Sequence, residues 1–145
     1  MIKVKDILNS KGQAHWHVKP DNTVFEALEK MAEKEIGAIL VVDNEKLVGI
    51  FSERDYARKI VLHGFASKSS KVGDFMSKAV IYVNPDTDIY DCMALMTSKH
   101  IRHLPVLEND ELKGVVSIGD VVNQIIQQQN VTIKDLENYI YGGRM

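Results

Sequence analysis

The chain has a single cysteine, Cys92. One thiol cannot close an internal disulfide, which fits a reducing compartment. An excess of charge of either sign is also missing. Lys and Arg number 18 against 20 Asp and Glu, so the formal net charge is −2, with a pI near 6.2. That balance gives no electrostatic reason to expect nucleic acid as a partner. No apolar run approaches the roughly 20 residues needed to span a bilayer. The opening residues Met1-Ile2-Lys3-Val4-Lys5-Asp6 lack the apolar core of a secretory signal. A cytoplasmic protein with no membrane or nucleic-acid partner is expected. Signatures of catalysis are missing as well. There is no Ser-His-Asp order, no paired-carboxylate geometry and no Walker loop, and the run from Gly114 to Gly119 is not a G-x-G-x-x-G fingerprint.

What the chain does have is a duplication. Residues 20–55 align with residues 85–120 without a gap, at an offset of 65. Pro20-Asp21 matches Pro85-Asp86, Met31 matches Met96, and Lys34 matches Lys99. Further on, Ile36 pairs with Ile101, Val41 with Val106, Asn44 with Asn109 and Leu47 with Leu112. Gly49, Ser52 and Asp55 recur as Gly114, Ser117 and Asp120. Two copies are too few for an open solenoid. Two equivalent units across a pseudo-twofold axis is the simpler arrangement, and it generates two related clefts and two related ligand sites. An apolar fraction of 45% is ordinary for a globular chain that buries a core.

Each copy reads as β-α-β-β-α. In the first, Ala14 to Val18 is extended, and Thr23 with Glu26 forms a capping box. Val24, Ala27, Leu28, Met31 and Ala32 then recur at helical spacing, and Gly37 ends the helix. Ala38 to Asp43 and Lys46 to Phe51 are β-branched runs joined by a hairpin signal, Asp43-Asn44-Glu45. Ser52 caps a second helix that stops near Gly64. The second copy repeats the plan. It has a strand at Ala79 to Val83, a helix capped by Asp88, a hairpin around Asn109-Asp110 and a helix capped by Ser117. A fainter echo precedes each copy, Val4-Lys5-Asp6-Ile7-Leu8 against Val72-Gly73-Asp74-Phe75-Met76. Residues 1–66 and 72–128 are the two expected domains, with 67–71 a linker. Gln127-Gln128-Gln129-Asn130 is expected to break the last helix, and an added helix over Thr132 to Tyr141 falls in the extension 129–145. Cys92 stands where the first copy has Ala27, inside a helical apolar pattern, and reads as a small core residue.

The chemistry concentrates at the strand-to-helix junction, present twice. Gly49-Ile50-Phe51-Ser52-Glu53-Arg54-Asp55 is matched by Gly114-Val115-Val116-Ser117-Ile118-Gly119-Asp120. A helix N-terminus offers unpaired N–H groups and partial positive charge, which suit a phosphate. The Ser hydroxyl adds a donor, and the Asp can accept from two vicinal ribose hydroxyls, as an acidic residue does in dinucleotide folds. A plain Ser-x-x-Asp capping box explains the same residues, and the matching copy weighs towards function.

Three segments carry a family resemblance: Pro-Asp-x-Thr-Val-x-Glu-Ala-Leu, Ile-Gly-Ala-Ile-Leu-Val-Val-Asp and Gly-Ile-Phe-Ser-Glu-Arg-Asp. With the second copy, including His100-Ile101-Arg102-His103-Leu104-Pro105-Val106, they resemble a tandem pair of cystathionine-β-synthase (CBS) domains over about residues 1–128. The resemblance implies an α/β Bateman module that binds AMP, ADP, ATP, NAD(H) or S-adenosylmethionine in clefts between the domains, with AMP the first candidate. It implies that Ser52, Asp55, Ser117 and Asp120 meet ribose and phosphate. Arg102 and His103 lie where basic residues in the family meet phosphate. The first copy has Gly37 and Ala38 there, so its site would be weaker or would borrow Arg54 and Arg58. Adenine needs an apolar slot, for which Tyr82, Val83, Ile101, Leu104 and Ile118 are candidates, although core packing explains most of them equally. His15 and His17 share a strand face around Trp16, but two histidines make an incomplete metal site.

The resulting expectation is a ligand-sensing regulatory module without a catalytic domain, able to modulate a partner enzyme. It is expected to form a homodimer through the helices after the hairpins, which carry Tyr56, Ile60, Val121, Val122, Ile125 and Ile126. The alternatives are an interaction protein with vestigial nucleotide sites and, less in keeping with the residues, an enzyme using a nicotinamide cofactor.

Overall fold

A computed structural model describes residues 1–12 and 15–140. In chain order the elements are α1 (Val4–Lys11), β1 (His17–Val18), α2 (Val24–Lys34), β2 (Ala38–Asp43), β3 (Lys46–Ser52) and α3 (Glu53–Asp55). A π-helical stretch, Tyr56–Val61, continues α3. A 3₁₀ turn (Ser67–Ser69), α4 (Val72–Phe75), α5 (Ile89–Lys99), β4 (His103–Glu108), β5 (Glu111–Ser117) and α6 (Ile118–Ile140) follow. Among the described residues no helix is long and apolar enough to cross a membrane.

Local chemistry accounts for most of these elements. Thr23 Oγ1 accepts from Glu26 N–H at 3.1 Å while Glu26 Oε1 accepts from Thr23 N–H at 3.1 Å, so two orphan donors of α2 are satisfied reciprocally. The helix ends at Lys34 rather than running to Gly37. Glu35 takes the left-handed conformation (φ 55), and the N–H of Ile36 donates to the Met31 carbonyl at 3.0 Å. Asn44 and Glu45 both have positive φ, the geometry of a two-residue hairpin whose twist matches its strands. Each of these backbone features recurs 65 residues later, at His100, Asn109 and Asp110. The duplication is therefore written into the dihedral angles as well as the side chains.

The residues form two compact units that do not simply follow chain order. One contains Ala14–Tyr82 and Leu107–Lys113; the other contains Met1–Gln13, Val83–Val106 and Gly114–Met145. The segment preceding each repeat sits in the unit of the other. In the first unit Lys71 bridges Thr23, the Val24 N–H donates to the Ser70 carbonyl, and Ser77 exchanges two hydrogen bonds with Ile50. In the second, Lys3 bridges Asp88, and the N–H groups of Val4 and Lys5 donate to the carbonyls of Thr87 and Pro85.

The two cores correspond residue for residue. The first unit buries Val18, Val24, Ala27, Met31, Ile39, Val41, Phe51 and Val72. The second buries Val83, Ile89, Cys92, Met96, Leu104, Val106, Val116 and Val4. Burial pushes the Cys92 thiol up to about 11, so at neutral pH it is a protonated core group. In the first unit β1 runs parallel to β2 with His17 opposite Leu40, and β2 runs antiparallel to β3. Gly49 on β3 leaves no room for a side chain, because a Cβ there would stand 2.5 Å from Met76 Sδ.

Four expectations are corrected. The strand expected over Ala79 to Val83 reduces to one bridge, Val83 to Val106, because Val80 N–H turns back to the Lys78 carbonyl and leaves the ladder. The strand expected over Ala14 to Val18 forms only at His17–Val18, with Ala14 outside the described residues. Gln127 to Asn130 does not break the last helix. Without Gly or Pro the run continues, and α6 carries the C-terminal extension as one helix to Ile140; the expected end at Tyr141 lies outside the described residues. Finally, Ile60 and Val121 are fully buried, so neither can belong to a dimer face.

This last point is measurable. Ile60→Ala is expected to cost about 2–5 kcal/mol of unfolding free energy, as buried Ile truncations do. Leu62→Ala, at a residue 77% exposed, is expected to stay within about 0.5 kcal/mol of the parent. Urea denaturation of the two variants checks both.

Candidate functional site

The duplicated junction is realised in both units as a reciprocal cap. Ser52 N–H donates to Asp55 Oδ2 at 3.0 Å, and Asp55 N–H donates to Ser52 Oγ at 3.1 Å. In the second unit Ser117 N–H donates to Asp120 Oδ2 at 2.8 Å, and Asp120 N–H donates to Ser117 Oγ at 3.1 Å. The helix thus uses these residues to satisfy its own first turn. The carboxylates differ in what remains. Asp55 Oδ1 is ion-paired with Lys59 Nζ at 3.2 Å and accepts from Ser77 Oγ at 3.4 Å, so both oxygens are committed. Asp120 concentrates its bonds on Oδ2, and among the described residues Oδ1 takes none.

The strand side of the site is held by one backbone bond. Ile118 N–H donates to the Arg102 carbonyl at 2.9 Å, which fixes the start of β4 against the first turn of α6. Glu53 N–H makes the matching bond to the Gly37 carbonyl at 3.0 Å. The same framework therefore presents Arg102 and His103 in one unit and Gly37 and Ala38 in the other.

A third basic group comes from the N-terminal segment. Lys11, the last residue of α1, donates to Asp120 Oδ2 at 2.7 Å and to the Val115 carbonyl at 3.0 Å. Burial alone would push the Asp120 carboxyl up. The Lys11 hydrogen bond, the Ser117 N–H, the Lys11 charge and the Ser117 hydroxyl together outweigh it and hold the carboxyl below its ordinary range. Burial pushes the His103 imidazole below its ordinary value, with Lys11 and Arg102 adding repulsion and Asp120 opposing. At neutral pH the cluster holds Lys11 and Arg102 positive, Asp120 negative and His103 neutral. Its net charge is positive.

The other expected residues fall as follows. Arg54 and Arg58 are exposed in the first unit, and neither makes an ion pair among the described residues. Lys59, not these arginines, reaches the Asp55 carboxylate, and it also donates to the Phe75 carbonyl at 3.0 Å. Leu104 and Val83 are buried in the second unit's core, Ile101 and Ile118 are half-buried there, and Tyr82 is an exposed residue of the first unit. His15 and His17 have ring centroids 5.4 Å apart, and among the described residues no group of three or more metal-ligating side chains forms. Sequence reasoning missed Lys11 and Lys59. Lys59 had a readable signal, its i,i+4 spacing from Asp55. Lys11 had none beyond the faint echo of α1 before the second repeat.

Comparison with known proteins accords with this geometry. The CBS-domain family model matches residues 3–62 and 72–127. The chain is 40% identical over 149 aligned residues to the mitochondrial CBS domain-containing protein CBSX3 of Arabidopsis thaliana, covering 97% of this chain and 72% of that one. A solved structure of a signal-transduction protein with CBS domains from Burkholderia ambifaria superposes with a TM-score of 0.84 at 45% identity, covering 88% of this chain and 96% of that one. A structure of CBSX2 in complex with AMP superposes with a TM-score of 0.73 at 28% identity, covering 89% of this chain and 99% of that one. The duplicated fold, the paired Ser-x-x-Asp junctions and these matches place the chain in the CBS-domain family, as a tandem CBS pair of the regulatory-module class.

Proposed function

We propose that the protein is a sensor of adenosine nucleotides, AMP foremost, whose main site is the second-repeat junction. The observation that carries this reading is the state of Asp120. It is an ionised carboxylate with one oxygen unengaged among the described residues, set beside Lys11, Arg102 and His103 in a cluster of net positive charge. A ribose supplies hydroxyl donors for the carboxylate, and a phosphate supplies charge for the bases. The AMP complex of CBSX2 supports the ligand class. ADP, ATP, NAD(H) and S-adenosylmethionine share the ribose and are the competing ligands. Asp55, with both oxygens already committed, is the weaker counterpart. The module acts by ligand-dependent change of state on a partner, not by catalysis, and the ligand shifts that equilibrium only by its differential affinity for the two states.

Lys11 sharpens the reading. Its ammonium donates to Asp120 Oδ2 at 2.7 Å, and a bound AMP would draw it to the phosphate. Removing it should therefore act in different directions on two ligands. In calorimetric titration Lys11→Ala is expected to weaken AMP about 10-fold or more, since a charge-assisted bond is worth roughly 1.5–3 kcal/mol. The same variant is expected to leave adenosine unchanged or tighter, because a competitor for Asp120 has gone. Asp120→Ala should weaken both ligands roughly 10- to 100-fold, whereas Asp55→Ala should leave the tight site intact. Absence of binding by every adenosine compound at millimolar concentration would end the sensor reading and favour an interaction protein with vestigial sites.

The burial of His103, with the positive charge beside it, is measurable without any ligand. The folded His103 titrates below its ordinary value of 6.5, so between that value and its folded one the unfolded chain binds more protons. Stability then rises with pH and is lost as pH falls below about 6.5. His15 is shifted the same way in the other unit, so the comparison is with a variant. His103→Gln is expected to flatten part of the decline in unfolding free energy between pH 7 and pH 5. An unchanged slope would show that His103 is not held neutral by its burial and its basic neighbours.

A further inference from the structure

His103 is the one base of the second-repeat cluster whose charge is not fixed near neutral pH. It opens β4 and is half-buried. Three elements turn charge towards it: α1 brings Lys11, β4 itself brings Arg102, and α6 brings Asp120. The single anion of the three is already engaged. Asp120 Oδ2 accepts from Lys11 Nζ at 2.7 Å and from Ser117 N–H at 2.8 Å. No hydrogen bond to the imidazole forms among the described residues, so its proton follows burial and the surrounding charge. Lys11 and Arg102 against Asp120 leave an excess of one positive charge, and a half-buried ring beside that excess stays neutral.

A nucleoside monophosphate reverses that field. A phosphate monoester carries about two negative charges above its second pKa of about 6. Placed among these groups it turns the excess of one positive charge into an excess of about one negative charge, and a single added proton restores the balance. An anion close to an imidazole favours its charged form. The imidazolium then gives the phosphate a charge-assisted hydrogen bond, which is shorter and stronger than a neutral one. Given the nucleotide reading of the second-repeat junction, we propose that AMP binding there loads a proton onto His103, so that the module reads nucleotide and acidity together. The neighbouring groups have no proton to gain, since Lys11 and Arg102 are already positive and Asp120 is held ionised. The complex therefore binds more protons than its separated parts, and affinity rises as pH falls and weakens as pH rises. One proton limits the effect to about 10-fold per pH unit. The first unit has Ala38 at the position of His103, so the coupling belongs to one junction.

The test is calorimetric titration of the full chain with AMP at about pH 7.5, repeated in two phosphate-free buffers of different ionisation enthalpy, which counts the protons exchanged. At that pH the AMP phosphate has already lost nearly all of its own proton, so uptake reports on the protein. Between about half a proton and one proton is expected to be taken up per AMP bound, with Kd roughly 3- to 10-fold tighter at about pH 6.5. Adenosine, which lacks the phosphate, is expected to bind the same chain with no uptake. His103→Gln keeps a donor but cannot titrate, and is expected to bind AMP more weakly and without proton exchange. AMP binding by the parent chain with no proton exchange overturns the inference and leaves the nucleotide site standing. Equal uptake with adenosine and with AMP also overturns it, as does uptake that persists in His103→Gln. No heat with AMP in either buffer at millimolar concentration removes the site itself, and the proton coupling with it.

Discussion

The hydrogen bond from Ile118 N–H to the Arg102 carbonyl, 2.9 Å long, fixes the position of everything that follows. It closes the hairpin's first strand onto the first turn of α6. Residues that lie 14 or more positions apart in sequence, Arg102 and His103 on one side and Ser117 and Asp120 on the other, are thereby held together. Its twin, Glu53 N–H to the Gly37 carbonyl at 3.0 Å, builds the same frame in the other unit. Backbone geometry is thus common to both repeats, and the difference in chemistry comes entirely from side chains. One frame carries Arg and His, the other Gly and Ala.

Within that frame the aspartates face competing demands. A helix N-terminus needs its donors satisfied, and a cap contributes about 1 kcal/mol. Asp55 and Asp120 both supply one, so the structural explanation of Ser-x-x-Asp holds. Function does not require that explanation to be wrong. A carboxylate has about four lone-pair sites and can cap a helix through one oxygen while meeting a ligand through the other. Asp120 retains that capacity. Asp55 has given it up to Lys59 and Ser77. The two sites are unequal for a reason that is visible bond by bond.

Much of this was legible in the sequence because the repeat made it redundant. The alignment of Ala27 with Cys92 placed the thiol in a core, and Asn44 with Asn109 placed the hairpin turns. What the sequence concealed depends on segments far apart in the chain. Lys11 reaches Asp120 across more than a hundred residues, because α1 packs with the second repeat; no local pattern encodes that exchange. Ile60 reads as one residue of an amphipathic stripe, and only the packed unit shows that it points into the core while Leu62 is exposed. The tract from Gln127 to Asn130 looked like a break because it is polar. Glutamine nevertheless tolerates a helix well, and neither Gly nor Pro interrupts the run. The strand expected at Ala79 to Val83 failed for a related reason. Its β-branched composition fits a sheet, but a local turn takes up the Val80 donor before pairing can extend.

The central claim is that the second-repeat junction holds an adenosine nucleotide by dividing it between Asp120 and the surrounding bases. A crystal structure of the protein grown with AMP tests this most directly. The account predicts ribose hydroxyls within hydrogen-bonding distance of Asp120, the phosphate beside Arg102 and His103, and the Lys11 ammonium moved from the carboxylate to the phosphate. AMP bound at the Asp55 junction instead, or seated with Lys11 still paired to Asp120 and the ribose turned away from it, would contradict the account.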